Sequence, residues 1–343
     1  MSVWRSGCVL LLGVANLCAA GPAQPDLKTV LSWLPPDTET VIGSNGPLVW
    51  PDLEAPSSGA SGLEVMSAEQ LKQQLEMLAA GLFSLRNGGL QAVLNGGKVA
   101  LAVTGSRHFR PPKNLGGTLF QGCAITVFSD SSTIQGDAFI QKATASSKRV
   151  ENIEGMNIAV FEETQEEDVW TTFVGFPRQN VVVVATDLDY LRTVLARMHG
   201  AVGQRALPET LPEWKYADTN AAIWGVRHYQ RSDSTLDPTS PFHGQDAANT
   251  PDPQAVGVTF QLDTAGRIVT VNYLSGGAAA RKTVERFLGL GGPSSPGLPK
   301  IEARFSRRDT AVLECAVNMA IPKALAIVPI IGLMSMFGHA IYM

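Results

Sequence analysis

The polar residues of this 343-residue sequence can first be searched for a metal-binding site. None of the five histidines has a second His, Cys, Asp or Glu at the spacing of a known zinc motif. The closest carboxylate pair, Asp187 and Asp189, opens a predicted helix, where carboxylates accept hydrogen bonds from free backbone amides. The sequence therefore predicts helix capping by this pair, and no metal or cofactor. The histidines are His108, His199, His228, His243 and His339.

Covalent catalysis would need an activated serine or cysteine. The sequence contains neither Gly-x-Ser-x-Gly nor Ser-x-x-Lys. Cys123 could meet a histidine in space, but it lies in a strand-like run that favours a buried structural thiol. The glycines of residues 289–292 follow a predicted helix instead of leading from a strand into one, so they offer no helix amides to a phosphate. No catalytic residue is therefore predicted.

Two clusters of charge stand out from the rest of the chain. A solvated hairpin tip is the simplest interpretation of the acidic cluster, and binding of a cation or a basic partner is the alternative. The basic turn could contact an acidic partner or lipid headgroups. The acidic cluster comprises Glu162, Glu163, Glu166, Glu167 and Asp168, and the basic turn comprises Arg107, His108, Arg110 and Lys113.

The first 20 residues have the pattern of a secretory signal peptide. Arg5 gives a short positive region, residues 8–15 are continuously apolar, and residues 18–20 (CAA) place small side chains at the cleavage position. The apolar run is too short to cross a bilayer core of about 30 Å. Lipoprotein processing at Cys18 is an alternative, although Leu17 is bulky for it. We therefore expect an exported protein, periplasmic or membrane-associated on the extracytoplasmic side.

Cleavage after Ala20 would leave two cysteines, Cys123 and Cys315. An oxidising compartment permits a disulfide between them. Both lie in apolar strand-like runs, so two buried free thiols are the other interpretation.

Helix and strand signals predict an α+β fold of antiparallel sheets with helices packed on one face. Ser67 and Gln70 have capping-box spacing and precede a leucine stripe. A second helix follows the Asp187 cap, and a third is predicted over 278–288. A short apolar helix or turn over 27–34 precedes the first strand. The leucine stripe comprises Leu71, Leu75, Leu78, Leu82 and Leu85.

Eleven runs rich in β-branched and aromatic residues predict strands. The pairs 169–176 with 181–186, 256–262 with 267–274, and 301–306 with 310–317 predict antiparallel hairpins. A hairpin followed by a helix occurs twice, so the pattern leaves open two related halves, 27–200 and 208–320, the second carrying a polar insert at 231–254. The runs are 39–44, 99–104, 124–129, 157–163, 169–176, 181–186, 221–227, 256–262, 267–274, 301–306 and 310–317.

The last part of the chain, 321–343, is strongly apolar. From Ala324 to Met343 there are 20 residues without a charge, and a helix of this length spans about 30 Å, the thickness of a bilayer core. Pro329 interrupts the helix, and the nearest cation, Lys323, lies on the wrong side for the positive-inside rule. A membrane anchor and a buried helix that completes the core are both open.

One short motif resembles a known group of proteins. Residues 34–38 (LPPDT), followed by a predicted strand, resemble the opening of the mature domain in exported bacterial proteins of unknown function, which begin with Leu-Pro-x-Asp-Thr. Residues 181–198, a strand that ends in Thr-Asp and leads into a helix, are similar as well. The resemblance implies a periplasmic or surface α+β protein and assigns no catalytic residues.

Charge and motifs together favour a binding protein. The net charge of −4 offers no overall basic face for nucleic acid. We expect a non-enzymatic, exported binding or structural protein, an accessory subunit of a cell-envelope or membrane complex with a protein partner. The alternatives are a periplasmic hydrolase whose active-site residues meet only in space, and a carrier of an apolar ligand between sheet and helices.

Overall fold

The structure is a computed structural model that describes a β-sheet and several flanking helices. The leader 1–20, the leucine-stripe helix, the polar insert 231–254 and the segment 321–343 lie outside the described residues. Among the residues that are described, no helix is long and apolar enough to cross a membrane. The described residues are 24–46, 98–107, 122–129, 136–145, 149–165, 168–201, 203–228, 255–262, 267–275, 281, 285, 302–307 and 312–320.

Twelve strands make up most of this part of the chain. Four of them, β1, β3, β7 and β8, are buried at every residue, which explains why their residues are apolar or small, except for Arg227 at the end of β8. The strands are β1 (Thr40–Ser44), β2 (Val99–Ser106), β3 (Gly122–Phe128), β4 (Arg149–Ile153), β5 (Met156–Gln165), β6 (Asp168–Arg178), β7 (Val181–Ala185), β8 (Ile223–Arg227), β9 (Ala255–Leu262), β10 (Arg267–Ser275), β11 (Glu302–Arg307) and β12 (Val312–Ala320).

All the strands join one antiparallel sheet in the order β11-β12-β10-β9-β8-β1-β2-β3-β7-β6-β5-β4. The predicted hairpins β6–β7, β9–β10 and β11–β12 are confirmed. The two predicted halves meet where β1 pairs with β8, with Thr40 opposite Arg227. The sheet is therefore continuous across the boundary between the halves.

Three α-helices and one 3-10 helix complete the described elements. Helix α1 is Leu27–Trp33, α2 is Gly136–Ala145 and α3 is Leu188–Met198, and the 3-10 helix is Pro212–Tyr216. Arg281 and Glu285, within the predicted helix 278–288, are also helical. The predicted helix after the Asp187 cap is confirmed as α3, and the segment 27–34, predicted as a helix or a turn, forms the helix α1.

The predicted packing of helices on one face is not shown by the described residues, because α2, a helix that the sequence did not predict, belongs to a different core from α1 and α3. Val183 packs with α1 and α3 in the larger core, whereas Val182 and Val184 belong to a second core that contains Phe139 of α2. Successive residues of a strand point to opposite faces. Helix α2 therefore covers the face opposite α1 and α3, with the Phe139 ring 5.5 Å from that of Phe176.

Candidate functional site

The two stretches that carry the sequence resemblance meet at one end of four central strands of the sheet, β1, β2, β3 and β7. Residues 34–38 lead into β1, and Asp187 lies between β7 and α3. Arg107 follows β2, and Tyr190 lies in the first turn of α3. Strand pairing aligns these ends, because Thr40 is opposite Ser106 and Cys123 is opposite Ala185. We call Asp37, Thr38, Arg107, Asp187 and Tyr190 the corner cluster.

A hydrogen-bonded turn fixes Thr38. Its backbone N–H and its Oγ1 both donate to the carbonyl of Pro35, at 3.1 and 2.7 Å. The hydroxyl of Tyr190 lies 2.7 Å from the same Oγ1. Because a threonine hydroxyl has one proton, and that proton is given to Pro35, the Tyr190 hydroxyl is the donor to Thr38. Two buried hydrogen bonds therefore run in series, from the Tyr190 hydroxyl to Thr38 Oγ1 and from Thr38 Oγ1 to the Pro35 carbonyl.

Ionic contacts lie above these buried hydrogen bonds. Asp187 caps α3 by accepting from the backbone N–H of Tyr190 at 2.8 Å, as its position in the sequence predicts. Arg107 joins Asp187 at 2.7 Å and Asp37 at 3.3 Å. Asp37 is 54% exposed and Asp187 is 21% exposed, so water screens the Asp37 pair more strongly. Arg107 therefore links the turn, the end of β2 and the start of α3.

Tyr190 is fully buried beneath Arg107, whose guanidinium lies 5.7 Å from the ring centre. Burial raises the pKa of the Tyr190 phenol well above its ordinary value. The ring fits because residue 105 is glycine: a Cβ there would lie 2.6 Å from the Tyr190 hydroxyl and 2.7 Å from Leu34 Cδ1. Gly105 thus permits the approach of both side chains.

The two cysteines are free and buried, and the disulfide that the sequence permits is not formed. Cys123 is in β3 and Cys315 in β12, six positions apart in the strand order. Strand spacings of about 4.8 Å place them far beyond the reach of a disulfide. Burial raises the pKa of the Cys123 thiol strongly and that of Cys315 to about 12. Both thiols are therefore protonated and unreactive at neutral pH.

The described histidines lie apart from the buried hydrogen bonds of the corner cluster. His199 is the exposed C-cap residue of α3, and His228 Nδ1 lies 2.9 Å from Glu213 of the 3-10 helix. The other three predicted candidates, His108, His243 and His339, fall outside the described residues. Within the described part of the chain, no group of three metal-ligating side chains forms.

The acidic cluster lies where β5 turns into β6, because Gln165 is opposite Asp168 and only residues 166–167 separate them. This is the hairpin position that the sequence predicts. Glu162 forms a 2.8 Å ion pair with Arg149 of the neighbouring strand β4. The rest of the basic turn, beyond Arg107, lies outside the described residues.

A second set of polar contacts fixes the far end of α3. Arg197 donates to the carbonyls of Ser32 at 2.7 Å, Gly203 at 3.2 Å and Gln204 at 2.7 Å. Arg178 donates to the Met198 carbonyl at 3.3 Å. Arg178 and Arg197 thus satisfy last-turn carbonyls of α3 and α1, where cations also favour the helix dipole, and Arg197 in addition binds the segment that follows α3.

The corner cluster can position backbone and present charge. Its phenol and threonine hydroxyls are occupied by each other and by a carbonyl, and its carboxylates are held by Arg107 and by a helix amide. Tyr190 was not singled out from the sequence, although a buried tyrosine on an apolar helix face requires a hydroxyl partner. That requirement, together with the polar Thr38 at the end of a proline turn, is the signal that could have paired them.

Comparison with known proteins gives no match to a family model, a curated protein or a solved structure. The likeness to exported proteins with a Leu-Pro-x-Asp-Thr opening therefore stays a prediction from the sequence.

Proposed function

We propose that this chain is a non-enzymatic, exported binding or structural protein that serves as an accessory subunit of a cell-envelope complex. The observation that carries the proposal is the corner cluster. Its hydrogen bonds run through a fully buried tyrosine, and its exposed side carries fixed charges of both signs. Rigidly supported polar groups at the ends of strands are typical of binding surfaces.

Two polar stretches of the sequence begin next to described residues at this end of the sheet. Residues 108–121, which include most of the basic turn, start directly after Arg107. The polar insert starts shortly after His228, whose backbone N–H donates to the carbonyl of Glu39 at 2.8 Å. Glu39 is the residue after Thr38. In the chain, both stretches therefore begin close to the corner cluster, and we propose that this end of the sheet contacts the protein partner.

The strand order supports two related halves, 27–200 and 208–320. Each starts with a three-stranded meander, β1-β2-β3 or β8-β9-β10, followed by a stretch with a helix. The last strand of each half then pairs with the third strand of its meander, β7 with β3 and β12 with β10. We propose that β4 and β5 are an addition to the first half.

Export by residues 1–20 and membrane association through 321–343 complete the proposal. Cells that express the full chain are fractionated beside cells that express a chain lacking 321–343. We expect the full chain in the membrane pellet and the shortened chain in the periplasmic fraction. Recovery of both in the soluble periplasmic fraction would contradict membrane association.

The non-enzymatic assignment is tested by a broad hydrolase screen on the purified protein. We expect no turnover above that of a mock preparation from cells that lack the chain. Turnover in the unaltered chain would contradict the assignment and favour a hydrolase with dispersed residues.

A further inference from the structure

Strand β12 is the last described element before the apolar segment 321–343. The strand ends at Ala320, and the uncharged run begins at Ala324. Four Cα–Cα steps separate these residues, which span at most about 14 Å. Wherever the apolar segment is held, the end of β12 lies close to it.

Register identifies the neighbouring residues at that end of the sheet. Arg267, the first residue of β10, is opposite Ala320, and Glu302, the first residue of β11, is opposite Asn318. At the other end, Val312 is opposite Ser275. Strands β10, β11 and β12 therefore share one end next to the apolar segment and one end remote from it.

We propose that the Arg267, Glu302 and Ala320 end of these three strands faces the lipid headgroups of the membrane. The inference rests on the proposed membrane association of 321–343 and adds the orientation of the body and the surface that meets the bilayer. By sequence, this end carries two cations, Arg267 and Lys323, against one carboxylate, Glu302, and the excess of positive charge favours the anionic headgroups of a bilayer surface. The Val312 and Ser275 end points away from the bilayer.

Labels placed along strand β11 can measure this orientation, because β11 is an edge strand of the sheet. Positions 302, 304 and 306 point to the same face of the strand, and Arg304 and Ser306 are exposed. Each step of two residues is about 6.6 Å along the strand. A reporter moved from 302 to 304 to 306 therefore moves stepwise away from the proposed bilayer surface.

The experiment uses the full chain with Cys8 and Cys18 replaced by serine and one new cysteine, from Glu302→Cys, Arg304→Cys or Ser306→Cys. A maleimide fluorophore labels each variant, and the chain without a new cysteine is the background control because Cys123 and Cys315 are buried. The proteins are reconstituted into phosphatidylcholine–phosphatidylglycerol vesicles that contain a headgroup-attached nitroxide quencher. Thermal unfolding of each labelled variant confirms that the label leaves the fold intact.

We expect the quenching of the fluorophore to decrease in the order 302, 304, 306. Because the first and last positions are about 13 Å apart, quenching at 306 should be roughly half of that at 302 or less. Vesicle-bound protein with equal quenching or the reverse order would overturn the orientation and leave membrane association standing. Protein that does not bind the vesicles would overturn membrane association, and the orientation with it.

Discussion

Removing the hydroxyl from either end of the buried Tyr190–Thr38 hydrogen bond has unequal effects. Thr38→Val leaves the Tyr190 hydroxyl as a buried donor without an acceptor, which costs about 1–3 kcal/mol of unfolding free energy. Tyr190→Phe removes the donor and leaves Thr38 bonded to Pro35, so it costs only the lost hydrogen bond, about 0.5–1.5 kcal/mol. We expect Thr38→Val to be the more destabilising change.

The double variant provides the sharper test. With both hydroxyls gone, no buried donor is left unpaired, and apolar groups of similar shape fill the space. Adding Tyr190→Phe to Thr38→Val is therefore expected to recover part of the lost stability instead of lowering it further. The two substitutions should differ from additivity by about 1 kcal/mol or more.

Equilibrium unfolding in urea measures these differences, with Trp33 and Trp214, which both pack in the larger core, as fluorescent reporters. The slope of free energy against urea must be the same in all four proteins for the comparison to hold. Additive losses, or a larger loss for Tyr190→Phe than for Thr38→Val, would refute the proton direction deduced for this chain of hydrogen bonds.

Four further outcomes follow from the same structure. Gly105→Ala should destabilise by about 1–3 kcal/mol in urea unfolding because its Cβ meets Tyr190 and Leu34, and combination with Tyr190→Phe should reduce that loss; equal losses would contradict the contact. Arg197→Lys should lower the free energy of unfolding by about 1–3 kcal/mol because it loses hydrogen bonds to three carbonyls. Arg192→Lys on the same helix, in an exposed pair with Asp189, is the control and should lower it by less than about 0.5 kcal/mol. Similar losses for the two variants would refute the role of Arg197. Burial raises the pKa of Tyr190 in the folded state, so its contribution to stability is present below the unfolded pKa near 10 and is lost as the pH rises above that value. Tyr190→Phe should therefore flatten the fall of the thermal midpoint at alkaline pH. An unchanged slope of thermal midpoint against pH would contradict this. In a chain with Cys8→Ser and Cys18→Ser, neither remaining thiol should react with a disulfide reagent at pH 8 until urea unfolds the protein, and rapid reaction of the folded chain would contradict their burial.

Strand positions were predictable because period and composition are local properties. The apolar run 181–186 predicted a strand, and the structure has Val181–Ala185. Strand β4 was missed since Arg149–Ile153 is a mostly polar edge strand, and its turn residues, Glu154 and Gly155, lack the usual Asn-Gly pair. Its turn nevertheless has the positive φ angles, 52° and 80°, that two-residue hairpins require.

The faces of the sheet and the corner cluster were not predictable in the same way. Whether α2 covers the face with Val183 or the face with Val182 depends on the crossover of the chain, which periodicity does not encode. Thr38 and Tyr190 are 152 positions apart in the sequence. Their pairing results from the order of β1, β2, β3 and β7 in the sheet, although the capping role of Asp187 is local and was predicted.

The binding role of the corner is tested most directly by the size of the native assembly in two matched variants. Asp37→Asn and Asp189→Asn each remove an exposed carboxylate that pairs with an arginine, at 3.3 and 3.4 Å, and each should leave the fold intact. Detergent extracts of cells with each chain at its native level are compared by sedimentation. We expect a complex larger than the monomer, which Asp37→Asn shifts toward free chain and Asp189→Asn does not. A chain that sediments as a monomer throughout, or a complex equally affected by both changes, would contradict the proposed binding role.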